Sequence, residues 1–196
     1  MNDRFEKQIA FVREIDKVKE VFRQTYLLDK SRKENDAEHS WHLAMMAILL
    51  AEYASAEVDL LKVLRMVLLH DLVEIDAGDT FAYDEQAYKD KDEREKKAAD
   101  RIFGMLPGEQ AHQFRELWDE FEGRTSCEAK FAAALDRLQP LMHNYFTQGA
   151  AWREHDVPAS LVRKRNAHIS EGAPKLWEFA EYIIDDSVQK GYLRDA

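Results

Sequence analysis

The chain has 196 residues, an apolar fraction of 45% and a net charge of -10. This length and apolar fraction suffice for one domain, residues 1–196, with a full hydrophobic core. The acidic charge argues against a nucleic-acid polymer as partner, because carboxylates would line the phosphate track. It leaves room for a small phosphorylated ligand, whose charge can be met locally by a cation and one or two arginines.

The composition also bounds the fold class and the cellular setting. A single cysteine, Cys127, excludes an internal disulfide and a thiolate metal cluster. The longest apolar run, residues 43–51, is too short to cross a bilayer, and the N-terminus lacks the apolar core of a signal peptide. We therefore expect a cytoplasmic protein with no membrane partner. Seven glycines and four prolines, with abundant helix-forming residues, favour an all-α fold.

The first predicted element is a long amphipathic helix. Apolar residues recur at spacings of three and four from Phe5 to Tyr26, which is the periodicity of one helix face. We expect this helix to end near Leu28. The polar stretch that follows, residues 29–36, is then a connection.

Two further helices are predicted upstream of Gly78. Asn35 and Glu38 form a candidate capping box for a second helix that runs to about residue 54. Asp59 can cap a third helix that continues through Ile75 and stops at Gly78. Because this third helix is apolar on nearly every face, we expect it to be the central helix of the fold.

The second half of the chain predicts a loop and then more helices. Residues 81–97 are rich in charged residues and tyrosine without clear periodicity, which indicates a loop that enters a helix and whose tip is a candidate lid. A cap formed by Thr125 and Glu128 predicts a long helix after it. Other helices are predicted to begin near Pro107, Pro158 and Pro174.

One dipeptide carries most of the chemical information. His70 and Asp71 stand in an otherwise apolar segment, where an unpaired imidazole and carboxylate would be costly to bury. A second histidine, His39, lies upstream, and an isolated Asp136 lies between apolar residues downstream. Two nitrogens and two carboxylates suit one divalent ion, either Mn, Co, Fe, Ni, Zn or Mg, that keeps positions open for water and substrate.

Helix geometry places a third polar residue beside His70 and Asp71. At about 100° per residue, Glu74 lies one turn from His70 and on the same face. Facing helices of a bundle can then bring His39 and Asp136 to that face from distant parts of the chain. We interpret His42 and His143 as ordinary core or surface histidines rather than further ligands.

This set of residues resembles the HD superfamily of metal-dependent phosphohydrolases, whose ligand order is His, then His-Asp, then Asp. The resemblance extends to its 5'-deoxynucleotidase-like branch through Glu38-His39-Ser40, His70-Asp71-x-x-Glu74, Gly78-Asp79 and Asp136. It implies an all-α multi-helix bundle, a homodimer, and metal ligands His39, His70, Asp71 and Asp136. It also implies that Glu74 and Asp79 position or activate the attacking water.

The chain departs from that branch at one place. The branch carries an Arg-Trp pair before the first histidine to hold phosphate and sugar, whereas this chain reads Phe22-Arg23-Gln24-Thr25-Tyr26. Arg23 is a candidate replacement for the arginine, and no tryptophan follows it. Arg32 and Lys33 are the other candidate substrate-binding cations, and Arg137 is adjacent to a predicted ligand.

The predicted activity is the release of phosphate from a small phosphorylated metabolite, with a deoxynucleoside 5'-monophosphate as the leading substrate. A nucleotide pyrophosphate hydrolase of the (p)ppGpp type is the alternative within the enzyme class. Those relatives favour Glu-Asp after His-Asp-x-x, whereas this chain has Glu74-Ile75. An alternative of another class is a metal- and nucleotide-binding sensor or assembly module without turnover.

Overall fold

The computed structural model describes residues 3–84, 86 and 89–195. Nearly all of its regular structure is helical, which confirms the all-α fold class, and one short two-stranded ribbon is added to it. Among the described residues, none of the helices combines the length and the apolar character needed to span a membrane. The elements are α1 (Asp3–Ile15), a 3-10 helix (Asp16–Glu20), β1 (Phe22–Tyr26), β2 (Lys33–Asn35), α2 (Asp36–Leu50), a 3-10 turn (Ala51–Tyr53), α3 (Leu60–Leu69), a second 3-10 helix (His70–Val73), α4 (Glu74–Ala77), α5 (Lys91–Phe103), α6 (Gly108–Gly123), α7 (Cys127–Phe146), α8 (Ala150–Glu154), α9 (Ala159–Asn166), α10 (Ile169–Gly172) and α11 (Pro174–Gln189).

The prediction of one long N-terminal helix is wrong beyond Ile15. After the 3-10 helix the chain enters β1, which pairs antiparallel with β2 so that Phe22 faces Asn35 and Tyr26 faces Lys33. Residues four apart share a face in a strand as well as in a helix, so the apolar spacing did not separate the two structures. The ribbon brings Arg23 to the interior of the molecule.

The capping predictions for the next two helices are confirmed. The Asn35 side chain accepts a hydrogen bond from Glu38 N, and the Glu38 carboxylate accepts one from Asn35 N. Asp59 accepts from the first-turn amides of α3. The third helix does not run unbroken to Ile75, because the chain tightens into a 3-10 helix at His70. The short helix α4 follows, and Gly78, whose φ is +74°, comes directly after its last residue.

The central helix is α7 rather than α3. Most of its residues are buried, and it packs against α2, α3, α10 and α11. In contrast, α3 is amphipathic and leaves Leu61 and Leu68 exposed. The predicted cap at Thr125 is also displaced, because Ser126 Oγ accepts the hydrogen bond from Ala129 N.

The predicted loop over residues 81–97 is shorter than expected, since α5 begins at Lys91. Ion pairs between residues four apart, such as Glu93 with Lys97, stabilise the first turns of α5, where the apolar periodicity is weak. Arg94 of α5 donates to Thr80 Oγ1 and to the carbonyl oxygen of Ala77, which ties the helix to the start of the loop. The tip predicted as a lid lies partly outside the described residues.

Candidate metal centre

The four predicted ligands meet in the interior, although they come from three separate elements. His39 lies in the first turns of α2, His70 and Asp71 lie in the 3-10 helix after α3, and Asp136 lies in the middle of α7. His39 Nε2 is 3.0 Å from Asp136 Oδ1 and 3.9 Å from Asp71 Oδ2. His70 Nε2 is 3.1 Å from Asp71 Oδ1 and 3.6 Å from Asp136 Oδ1.

The three shorter separations fit ligands around a shared divalent ion, and one ligand atom from each of His39, His70 and Asp136 lies within 4.8 Å of the others. Asp71 adjoins His70 and forms a second such group with Asp36 and Glu74. Bonds of about 2.0–2.2 Å from one ion place neighbouring ligand atoms roughly 3–3.5 Å apart.

His70 Nδ1 lies 3.1 Å from the carbonyl oxygen of Val67, which can only accept, so Nδ1 carries a proton and donates it there. His70 Nε2 is buried, faces the carboxylates and has no hydrogen-bond partner. A proton or a metal ion at this nitrogen offsets the charge of those carboxylates, and only a metal ion would use its lone pair.

The charges around the centre also favour a bound cation. Burial by itself lowers the pKa of His70, but the Asp71 and Asp136 carboxylates outweigh burial and raise that pKa to about 10. Burial raises the pKa of Asp71, and the charges on His70 and Arg23 outweigh it and hold that pKa well below the ordinary value. The centre is therefore an acidic pocket that favours bound positive charge.

Arg23 borders this centre from the strand side. Its Nη1 donates to Asp71 Oδ2 at 2.9 Å and to Asp36 Oδ1 at 3.3 Å. The prediction that Arg23 belongs to the site is thus supported by position. Asp36 was not identified from the sequence, because an acidic residue in the first turn of a helix is ordinary.

Glu74 and Asp79 lie on the open side of the centre, where both line the cavity. Burial, and then the charges on Asp71, Asp36 and Asp79, raise the pKa of Glu74 well above its ordinary value. Burial is also the main cause that raises the pKa of Asp79. Glu74 Oε2 is buried without a hydrogen-bond partner, which leaves it available to a water or a proton.

The cavity beside the quartet contains Arg137, which the sequence placed next to a predicted ligand, and two cations that the sequence did not indicate, Lys91 and Arg165. Lys91, Arg137 and Arg165 line it together with Arg23. Arg137 follows a metal ligand in sequence, and Arg165 belongs to a short basic run that resembles a solvated helix face. Only the packing of α5, α7 and α9 around one cavity distinguishes them from surface cations.

Two predicted substrate-binding cations do not line that cavity. Arg32 pairs with Glu38 at the surface, and Lys33 donates to Gln24 and lies 3.9 Å from Glu154. The β1–β2 ribbon turns them toward solvent, so the structure gives their predicted role in binding substrate no support.

The model of the HD domain family matches residues 15–177, which include every residue of the quartet. The chain belongs to the HD domain family. A crystal structure of a predicted metal-dependent phosphohydrolase from Magnetospirillum magnetotacticum is 53% identical, with a TM-score of 0.94 over 98% of this chain and 96% of that one. The resemblance inferred from the quartet and its spacing is therefore confirmed.

The chain is also similar to proteins named 5'-deoxynucleotidase HDDC2. The human protein is 28% identical over 135 residues, which is 68% of this chain and 65% of the human protein. The Xenopus laevis protein is 27% identical over 185 residues, which is 84% of this chain and 90% of that protein. The chain thus matches just under two thirds of the length of the human relative.

Proposed function

We propose that this HD domain chain is a metal-dependent phosphohydrolase that releases phosphate from a small phosphorylated metabolite. The observation that carries the proposal is the convergence of His39, His70, Asp71 and Asp136, of which the last three line a cavity that also contains cationic side chains. This quartet would hold one divalent ion, with Mn, Co, Fe, Ni, Zn and Mg as candidates. A phosphoryl group in the same cavity then meets both the quartet and the cations.

When bound, the divalent ion lowers the pKa of a water and withdraws charge from a phosphoryl oxygen. Glu74 borders the quartet, and its unpartnered Oε2 accepts a proton from the attacking water. Asp79 borders the same space and orients that water. Arg23 holds Asp71 in place, and with Arg137 it stabilises the negative charge that develops on the phosphoryl oxygens.

The leading substrate is a deoxynucleoside 5'-monophosphate. The names of the human and frog relatives support this choice, and so does a cavity that combines arginines with aromatic side chains. Arg165 is a candidate for the phosphate, and Tyr83 is a candidate for the base.

A substrate panel tests the proposed activity. We expect Mn²⁺- or Co²⁺-loaded protein to release inorganic phosphate from deoxynucleoside monophosphates faster than from diphosphates or triphosphates, as measured by a colorimetric phosphate assay. Pyrophosphate release from a guanosine 3'-diphosphate would instead support the pyrophosphohydrolase. Tight nucleotide binding without any phosphate release would support the sensor or assembly module.

We propose that the protein is a homodimer, and an apolar surface supports this state. Trp41 and Leu49 of α2 are 64% and 67% exposed, and Met45 and Ile48 lie on the same stripe. Leu61 is exposed on α3, which packs against α2. Contiguous exposed apolar side chains on neighbouring helices are typical of a protein interface.

Light scattering coupled to size exclusion tests the dimer. We expect the wild-type mass to be twice the 22.9 kDa of one chain, and Leu49→Glu to shift it toward the monomer because a charge cannot be buried unpaired. Ile9→Glu is the matched control, since Ile9 is exposed on α1 rather than on this stripe. A monomeric wild-type protein at micromolar concentration would contradict the proposal.

We also propose a cytoplasmic location and a single domain. Cys127 is exposed and is the only cysteine in the chain, as is typical of proteins from a reducing compartment. The single domain is supported by α6, because Trp118 packs in one core cluster and Phe121 packs in the other.

A further inference from the structure

A buried polar network lies behind the metal centre, on the side away from the cavity. Its middle residue is Gln139, which lies three residues after Asp136 on α7 and has no exposed surface. Gln139 Oε1 is 3.1 Å from His39 Nδ1. Gln139 Nε2 is 2.7 Å from Glu34 Oε1 and 3.2 Å from both His42 Nδ1 and His143 Nε2.

The partners of this amide determine which way it is oriented. His143 Nδ1 is 3.1 Å from the carbonyl oxygen of Tyr26 and donates to it. Burial lowers the pKa of His143, which keeps the ring neutral and leaves Nε2 as an acceptor. Because the Glu34 carboxylate is an acceptor as well, the end of Gln139 that faces these groups is its NH2.

The orientation of the amide in turn decides the tautomer of His39. With its nitrogen facing Glu34 and His143, Gln139 presents its oxygen to His39 Nδ1. An amide oxygen only accepts, so His39 Nδ1 carries the proton. Without an ion, His39 Nε2 donates to Asp136 Oδ1 at 3.0 Å, and loss of that proton alone leaves a lone pair directed at the quartet, where an ion would be held.

We propose that Gln139 is a positioning residue that locks His39 in the metal-binding tautomer, with Glu34, His42 and His143 holding the amide in place. The inference rests on the ion site of the proposed function. Gln139 and Asp136 approach the two nitrogens of one imidazole from the same helix, so α7 sets both the ligand and its orientation. A hydrogen-bond acceptor on the far nitrogen of a ligating histidine fixes the ring and raises its basicity.

The same side chains also have the composition of a metal site. One ligand atom from each of Glu34, His42 and His143 lies within 4.8 Å of the others. Gln139 Nε2 is already within hydrogen-bond distance of all three residues. The NH2 group of the amide therefore supplies the hydrogen-bond donor that these acceptors share. Binding of a second metal ion by this cluster is one outcome of the tests below.

Metal affinity of full-length variants tests the positioning role. Co²⁺ is the probe, and its binding to chelator-stripped protein is followed by visible absorption against a competing chelator. We expect Gln139→Leu, which removes the nearer acceptor of His39 Nδ1 and leaves Glu34 Oε2 at 3.6 Å, to weaken Co²⁺ binding by about 10- to 100-fold and to change the absorption spectrum. The double variant Glu34→Gln/Gln139→Glu keeps an acceptor for His39 and one amide–carboxylate pair, and we expect it to bind Co²⁺ more tightly than Gln139→Leu.

The control is Ser187→Ala, which removes a buried hydrogen bond to Ile183 O in α11. It accounts for a general loss of stability, and we expect its Co²⁺ affinity to equal that of the wild type. Equal affinity of Gln139→Leu and the wild type would overturn the inference alone. Failure of the wild type to bind Co²⁺ would overturn the proposed function with it. Two Co²⁺ ions per chain, one of them lost in His143→Ala, would identify a second metal centre and overturn the positioning role.

Discussion

We expect Asp136→Ala to lower phosphate release by roughly 10³-fold or more and to weaken Co²⁺ binding in parallel. Asp136 Oδ1 is the atom that approaches both His39 Nε2 and His70 Nε2, at 3.0 and 3.6 Å. Its removal therefore takes one ligand from the quartet and also the carboxylate that faces both imidazoles. The measurements are the initial rate of phosphate release and the Co²⁺ dissociation constant of the stripped protein.

A second consequence of this substitution concerns the stability of the metal-free protein. The Asp136 carboxylate is one of the charges that raise the pKa of His70 above its ordinary value. Without it, the pKa of His70 is raised less, because only the Asp71 carboxylate still offsets burial. The loss of activity therefore does not require unfolding, and circular dichroism should show a folded variant.

Asp100→Ala is the control for this prediction. Asp100 is exposed on α5 and pairs with Arg115 far from the quartet, so its removal costs little. We expect its rate and Co²⁺ affinity to match the wild type. A folded Asp136→Ala variant that retains full activity and full Co²⁺ affinity would contradict the assignment of Asp136 as a ligand.

The second large effect is expected for Glu74→Gln. An amide has nearly the same shape as the carboxyl group but cannot take up a proton, so we expect kcat to fall by about 10²- to 10⁴-fold. Co²⁺ affinity should change little, because Glu74 borders the quartet without belonging to it. Burial and three neighbouring carboxylates raise the pKa of Glu74, so the neutral amide should leave the melting temperature unchanged or higher.

The matched control is Glu181→Gln on the exposed face of α11. We expect this variant to match the wild type in kcat, Co²⁺ affinity and melting temperature. Loss of Co²⁺ binding in Glu74→Gln would identify Glu74 as a ligand instead of a proton acceptor. An unchanged kcat would exclude both roles and leave Asp79 as the candidate for water activation.

Arg23 contacts two buried carboxylates and also lines the cavity. Its Nη1 contacts Asp71 and Asp36, which satisfies carboxylates that repel one another in the interior. Burial lowers the pKa of Arg23, but the surrounding carboxylates, Asp71 foremost, outweigh burial and keep the guanidinium charged. Arg23 also lines the cavity, where Asp71 and Asp36 fix the position of its guanidinium.

The sequence predicted the helical fold class and four side chains that the structure brings together. The caps at Asn35 and Asp59 depend on contacts within one turn, so local chemistry was sufficient to predict them. The ribbon at Phe22–Tyr26 was missed, because its strand is stabilised by pairing with Lys33–Asn35 rather than by local preference. The identity of the central helix depended on which elements cover α7, whereas by composition α3 is the more apolar of the two helices.

By itself, the sequence identified the four side chains that we propose as ligands, because an unpaired imidazole and carboxylate would be costly to bury in an apolar segment. The tertiary structure alone decided the tautomer of His39, the cations that reach the cavity and the exposure of Arg32 and Lys33. The physical reason is that ligand chemistry belongs to a residue type, whereas the direction of a lone pair depends on acceptors from distant elements. Gln139 is an ordinary helix residue in the sequence, and folding gives it His39 on one side and Glu34 on the other.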